Sequence, residues 1–253
     1  MSASQWETMF VRLVVIGALV SVGSVIAMLL AGVGYRLQWW HFRTGISVLR
    51  WAFWFAAAGG IVSMLALVLA RAQSPGMIAV AAIGLVIGIA GAYVPWSYKR
   101  AVDSLPYIHD ISTDTANPPQ FVAAAKLRKE GDHPVSYDGP EVAAQQKSAY
   151  PDIVPLMTVV SPDKVFEAAA KAIAQMGLTL ADANPQEGRI EANQSSLLFG
   201  FTDDLVVRIV ADGAGSRVDV RSKSRVGRSD VGQNAKRIRK FLHELQVALG
   251  KPD

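Results

Sequence analysis

The side chains able to do chemistry fall in two places. His109, Asp110, Asp114 and His133 are the one grouping of imidazoles and carboxylates that suits a divalent metal or acid-base catalysis. A zinc or non-haem iron centre needs three or four convergent ligands, and the spacing here matches no recognised ligand motif. Asp and Thr in a proline-rich stretch commonly bond their own backbone in Asx and ST turns instead. Sequence alone leaves both readings open. The second place is the basic run Arg217, Arg221, Lys223, Arg225 and Arg228, interrupted by Asp219. On a solvated sheet face these cations would form an ion-pair lattice with Asp219 and with Asp203 or Asp204. Close to a bilayer they would bind anionic lipid headgroups or an acidic protein surface, each cation contributing about 1 kcal/mol. Aromatic residues are not interleaved with them, so nucleic acid is not an expected partner.

Other chemistries find no footing. The chain has no cysteine, which removes disulfides, thiolate metal sites and thiol nucleophiles. It carries no G-x-S-x-G, H-E-x-x-H, Walker or G-x-G-x-x-G motif, and the glycines of DGAGS at 212 to 216 sit between strands, without the helix N-terminus that a phosphate cradle uses. Ser222, Ser224 and Ser229 have no histidine near them in sequence, since His243 falls on the exposed side of a later helix. The expectation is a chain without catalytic residues or cofactor, with the His109, Asp110, Asp114 and His133 group as a metal-dependent alternative.

The elements that would position these groups begin at the basic run. Alternation puts Val218, Val220, Ser222, Ser224 and Val226 on one side of a strand, and Arg217, Asp219, Arg221, Lys223 and Arg225 on the other. Gly227 ends the strand, and Asp230 with Gln233 has capping-box spacing for a helix. Its buried stripe would be Val231, Ala235, Ile238, Leu242, Leu245 and Leu249, opposite Lys236, Arg237 and Lys240. Upstream, Leu156 to Val160 reads as a strand, and Ser161-Pro162-Asp163 opens a helix that Gly177 ends. Three more strands, at 178 to 183, 189 to 195 and 205 to 211, complete an antiparallel sheet with two helices on one face, an α+β domain over residues 156–253.

Before it, residues 101–155 change composition. Pro106, Pro118, Pro119, Pro134, Pro140 and Pro151 forbid long regular structure and predict an extended strap with brief helical turns. Ile108, Ile111, Phe121 and Val122 are its expected buried contacts.

Residues 1–100 explain a mean hydropathy of +0.26 that is high for a chain of this size. Leu13 to Tyr35, Trp51 to Ala70 and Met77 to Tyr98 carry no charged side chain. At about 1.5 Å per residue each crosses a hydrocarbon core of roughly 30 Å. Three transmembrane helices are expected, the last two joined through Arg71 to Gly76, with its Ser-Pro-Gly turn. Gly84 and Gly88, and the stretch Ala56 to Gly60, predict close helix contact. Trp39, Trp40, Trp51, Tyr93, Trp96 and Tyr98 suit the membrane interfaces. Spans free of ionisable groups predict an anchor in the lipid bilayer, not an ion pathway. The net charge of +4 fits basic flanks of such spans.

The blocks HDISTDTANPPQF at 109 to 121, YPDIVPL at 150 to 156, GRIEA at 188 to 192, FTDDLVVRI at 201 to 209 and SRVDVRSKSRVGRSDVGQNAKRIRKFL at 216 to 242 resemble, in this order, the domain of unknown function 1499 family. The resemblance implies no reaction. Many relatives are exported single-domain proteins or lipoproteins, and the three-helix anchor resembles a bacterial branch, which implies a bacterial inner membrane protein. The cysteine pair of many relatives is absent here. The resemblance implies a periplasmic soluble domain, whereas Arg36, Arg43, Arg50, Lys99 and Arg100 on its side, against Arg12 and Arg71 on the other, place it in the cytoplasm by the positive-inside rule. A membrane protein complex or anionic lipid headgroups are the expected partners.

Overall fold

The computed structural model describes residues 2–70 and 74–250. Two compact units emerge, Met1–Asp103 with Leu197–Gly200, and Ser104–Ser196 with Phe201–Asp253. The first contains three long helices: α1 (Ala3–Arg36), α2 (Phe42–Leu69) and α3 (Pro75–Ser104). All three are long and apolar enough to cross a membrane, as a multi-pass protein in a lipid bilayer requires. Of the expected turn between the second and third spans, Arg71 to Gln73 lie outside the described residues, and Pro75 opens α3.

Small residues set the spacing of these helices. A methyl group placed on Gly88 would lie 2.6 Å from the Cα of Gly60, and one on Gly84 would lie 2.6 Å from Ser63 Oγ. Where lipid supplies no hydrophobic drive between helices, such backbone approach is what dispersion and packing can use.

The second unit is α+β. A short strand β1 (Asp110–Ser112) is followed by α4 (Ala123–Leu127), α5 (Pro140–Ala149), β2 (Leu156–Thr158) and α6 (Pro162–Gln175). Strands β3 (Thr179–Asn184), β4 (Arg189–Ser195), β5 (Thr202–Asp212) and β6 (Gly215–Ser224) lead to α7 (Gln233–Ala248). The sheet is antiparallel and runs β1-β6-β5-β4-β3, with β2 pairing the other half of the same β6 edge. One face is apolar: Val218, Val220, Leu205, Val207, Ile209 and Ile190 pack against Val165, Ala169, Ile173, Ala235, Ile238, Phe241 and Leu245 of α6 and α7.

Several local expectations change. The strap supplies a sixth strand, β1, because Asp110, Ile111 and Ser112 lie opposite Lys223, Ser222 and Arg221. Its outer edge is completed by the fully buried Gln146 of the ten-residue α5, whose amide accepts from Ser112 N at 2.9 Å and donates to Ser112 O at 2.6 Å. A side-chain amide thus does for one residue what a neighbouring strand would do. Ile108, Ile111 and Phe121 are buried as expected, but Val122 is exposed. Its N–H, with those of Ala123 and Ala124, instead points at the carboxylate of buried Glu191 at 2.8 to 3.0 Å. The Ser161 side chain makes no capping bond, and Gly232, not Asp230, is the N-cap of α7. Asp230 still receives Gly232 N at 2.8 Å and Asn234 N at 2.7 Å, which holds Val231 at φ 53 and Gly232 at φ 76. A β-branched residue in that left-handed region is strained and needs such support.

Gly88→Leu should separate α2 from α3, with an overpacking cost of about 1–3 kcal/mol. The expected result is a lower thermal midpoint of the full chain in detergent, whereas Gly23→Ala, where a methyl meets nothing within 4 Å, leaves it unchanged.

Candidate functional site

Strand β6 carries the basic ladder, and its alternation turns the ladder away from the helices. Around Arg221 and Lys223 the charged face is not solvated: the strap lies over it and both are completely buried, whereas Arg217, at the other end, stays partly exposed. This corrects the expected open ion-pair lattice. Three of its carboxylates, Asp110, Asp114 and Asp138, come from the strap and not from the sheet.

Arg221 is the centre. Its Nε and Nη2 donate to the two oxygens of the fully buried Asp110, both at 2.8 Å, while Nη1 and Nη2 reach Pro119 O at 3.1 Å and Val135 O at 2.9 Å. Phe121 and Tyr137 present their ring faces to the same guanidinium, at 4.9 and 5.3 Å. Burial, then the charge of Asp110, pushes the Tyr137 phenol up to about 12. Lys223 Nζ lies 3.1 Å from Asp110 Oδ2, 2.5 Å from Asp138 Oδ1 and 2.6 Å from Ser136 O. Arg225 and Arg128 share the buried Asp204 at 2.7 and 3.0 Å. Further along, Arg217 and Arg208 share Asp219 and Asp114. Arg228, past the strand, is exposed. Asp203 turns to the other side and pairs with Arg237 of α7 at 2.7 Å.

The imidazole and carboxylate group is divided by this arrangement. His109 and His133 come together, their rings stacked with centroids 4.2 Å apart. Asp110 is committed to Arg221 and Lys223. Asp114 lies with Arg208 and Arg217, and its Oδ1 accepts Ala116 N and Asn117 N in an Asx turn. Among the described residues, no group of three or more His, Cys, Asp or Glu side chains could hold a metal ion. His109 Nε2 stands 3.3 Å from Asp138 Oδ2 without the alignment of a hydrogen bond, and His133 Nε2 donates to Gly227 O at 2.7 Å. Burial, then the neighbouring His133, lowers the His109 pKa from its ordinary value.

Sequence reasoning missed Asp138, Tyr137, Glu191 and Asn234. Asn234 is buried at the start of α7, accepts Ser222 Oγ at 2.7 Å and donates to His109 O at 2.9 Å, so one amide ties helix, sheet and strap. No sequence signal singles out Asp138, because residues 101–155 carry eight acids, at 103, 110, 114, 130, 132, 138, 141 and 152.

A family model described as protein of unknown function (DUF1499) matches residues 110–245, more than half of the chain, from β1 into α7. No curated protein matches it.

Asp110→Ala leaves a buried guanidinium without its carboxylate, and breaking such a pair costs about 3–5 kcal/mol. Denaturant unfolding of the full chain should show that loss, and combining Asp110→Ala with Arg221→Met should recover much of it, because the unpaired buried charge is then gone.

Proposed function

We propose that this chain, which belongs to the DUF1499 family of proteins of unknown function, is a non-enzymatic binding or assembly module held in a bacterial inner membrane by α1, α2 and α3. The observation that carries this reading is the closed ladder. Arg217, Arg221 and Lys223 pair with carboxylates of the strap, and Arg225 shares Asp204 of β5 with the strap's Arg128, so the most chemically equipped face of the soluble unit is spent on joining strap to sheet. A catalytic constellation needs groups aimed at a space that substrate can enter. Here the imidazoles are aimed at each other and at a main-chain carbonyl.

The partner in this reading is a protein of the same membrane. At the end of β6 not roofed by the ladder's aromatic rings, Met157 and Val210 lie in register on either side of Arg217, and Val159 follows at the end of β2. All three apolar side chains are exposed. Anionic headgroups fit less well, because Arg221 and Lys223 are already neutralised and out of reach. The soluble unit faces the periplasm, as the exported setting of the family's relatives suggests. A long translocated domain overrides a modest charge bias of its flanks.

Two outcomes test this. Alkaline phosphatase fused to the C-terminus is expected to be active and a fluorescent-protein fusion dark; the reverse places the soluble unit in the cytoplasm and sinks the periplasmic assignment. The purified full chain is expected to show no turnover in a broad hydrolase and redox screen. Turnover that His109→Ala abolishes would replace the binding module by an enzyme.

A further inference from the structure

The strap is not held uniformly. Its part between Gly131 and Gly139 is bracketed by two glycines at φ 90 and φ 93, a left-handed conformation that other residues adopt only with strain. Both glycines face open space. The seven residues between them, 132–138, form a flap over the buried end of the ladder. Polar contacts to β6 and the residues just after it hold the flap: His133 N donates to Arg225 O at 2.7 Å, His133 Nε2 to Gly227 O, Arg221 to Val135 O, and Lys223 to Ser136 O and Asp138. Val135 adds a partly buried contact beside Phe121.

We propose that this flap is an acid-released latch, with His109 as the group whose protonation opens it and the buried cations Arg221 and Lys223 as the surface that opening uncovers. His109 faces four titratable groups. His133 and Asp138 come from the flap, Lys223 from β6, and Asp110 from β1. With both imidazoles neutral, the two cations Arg221 and Lys223 are balanced by Asp110 and Asp138. Asp138 is already engaged by Lys223 at 2.5 Å and stands out of hydrogen-bond alignment with His109. A proton on His109 therefore adds a third, largely buried cation to a cluster with two carboxylates, and the one that faces it, Asp138 at 3.3 Å, is already shared with Lys223.

The direction of the His109 shift agrees. Its pKa is lowered in the closed state, so an opened, solvated His109 binds its proton more readily. The closed state is then fully favoured above the ordinary histidine pKa of about 6.5 and loses that advantage as pH falls toward the lowered value. Opening also carries Asp138 away from Lys223, which leaves the ladder with cations in excess at the moment it becomes accessible.

Hydrogen–deuterium exchange of the full chain in detergent, corrected for intrinsic rates and compared at pH 7.5 and 5.5, tests the latch. Peptides covering 129–139 are expected to exchange faster at the lower pH, by about tenfold for each pH unit over which the open flap holds one more proton than the closed one. Peptides from β5 and α7 should keep their protection, which separates flap release from unfolding of the unit. In His109→Gln the flap should stay protected at both pH values. His133→Gln, which removes the stacked ring and keeps an amide donor for Gly227 O, should weaken the pH response. Equal flap protection at both pH values in the wild type, or an unchanged pH response in a folded His109→Gln chain, overturns the proposal. Should His109→Gln not fold, an undiminished pH response in His133→Gln overturns it as well.

Discussion

The second unit depends on one buried pair. Arg221 and Asp110 are both shut away from water, and either alone would carry a desolvation penalty of several kcal/mol. They sit on different segments, β6 and the strap, separated by most of the domain's sequence. Neither can enter the interior without the other, so docking of the strap and burial of the β6 ladder form a single event. The net stabilisation from such a pair is small, because Coulomb attraction is largely cancelled by lost hydration. Its geometry is demanding: two parallel bonds at 2.8 Å, two main-chain carbonyls and two ring faces around one planar guanidinium. Lysine could not replace those five donors in a fixed fork.

The pair also explains why the sheet has three layers about it and not two. Helices α6 and α7 take the apolar face, as amphipathic helices do. The opposite face would ordinarily meet water. Here it carries Glu191, Asp204, Asp219, Arg221 and Lys223, all buried, and the covering segment has few apolar residues to offer. The strap therefore docks through carboxylates, carbonyls and a few rings. Glu191 collects three consecutive main-chain N–H groups as α4 begins, Gln146 completes the outer edge of β1, and Asn234 receives the chain at His109. Each satisfies donors or acceptors that burial would otherwise strand.

This layer is rich in charge and poor in hydrophobic contact. Its stability is consequently tied to protonation state in a way that an apolar layer would not be, and the stacked imidazoles lie at its rim. The membrane unit works by the opposite means. Its helices meet through glycine and alanine, with Gly60 against Gly88 and Ser63 against Gly17 and Gly84, and dispersion at short range replaces charge.

Much was legible in the sequence because it is local. Uncharged, largely apolar runs of twenty residues or more admit few readings besides spans, and the alternation of Val218, Val220 and Ser222 with Arg217, Asp219 and Arg221 assigns both faces of β6 without reference to any partner. The helical stripe of α7 is local in the same way, although of the two adjacent candidates that helical spacing allows, Phe241 and Leu242, it is Phe241 that is fully buried. What covers a face is not local. Whether Arg221 points at solvent or at Asp110 turns on a contact across 111 residues, and no periodicity records it. The same holds for β1, whose three residues are too few to declare a strand until β6 lies beside them, and for Asp114 and Asp110, neighbours in sequence that tertiary structure sends to different cations. Backbone period and side-chain polarity follow from residue order, whereas the pairing of charges follows from which segments the fold brings together, and that is why the ladder was visible in the sequence and its closure was not.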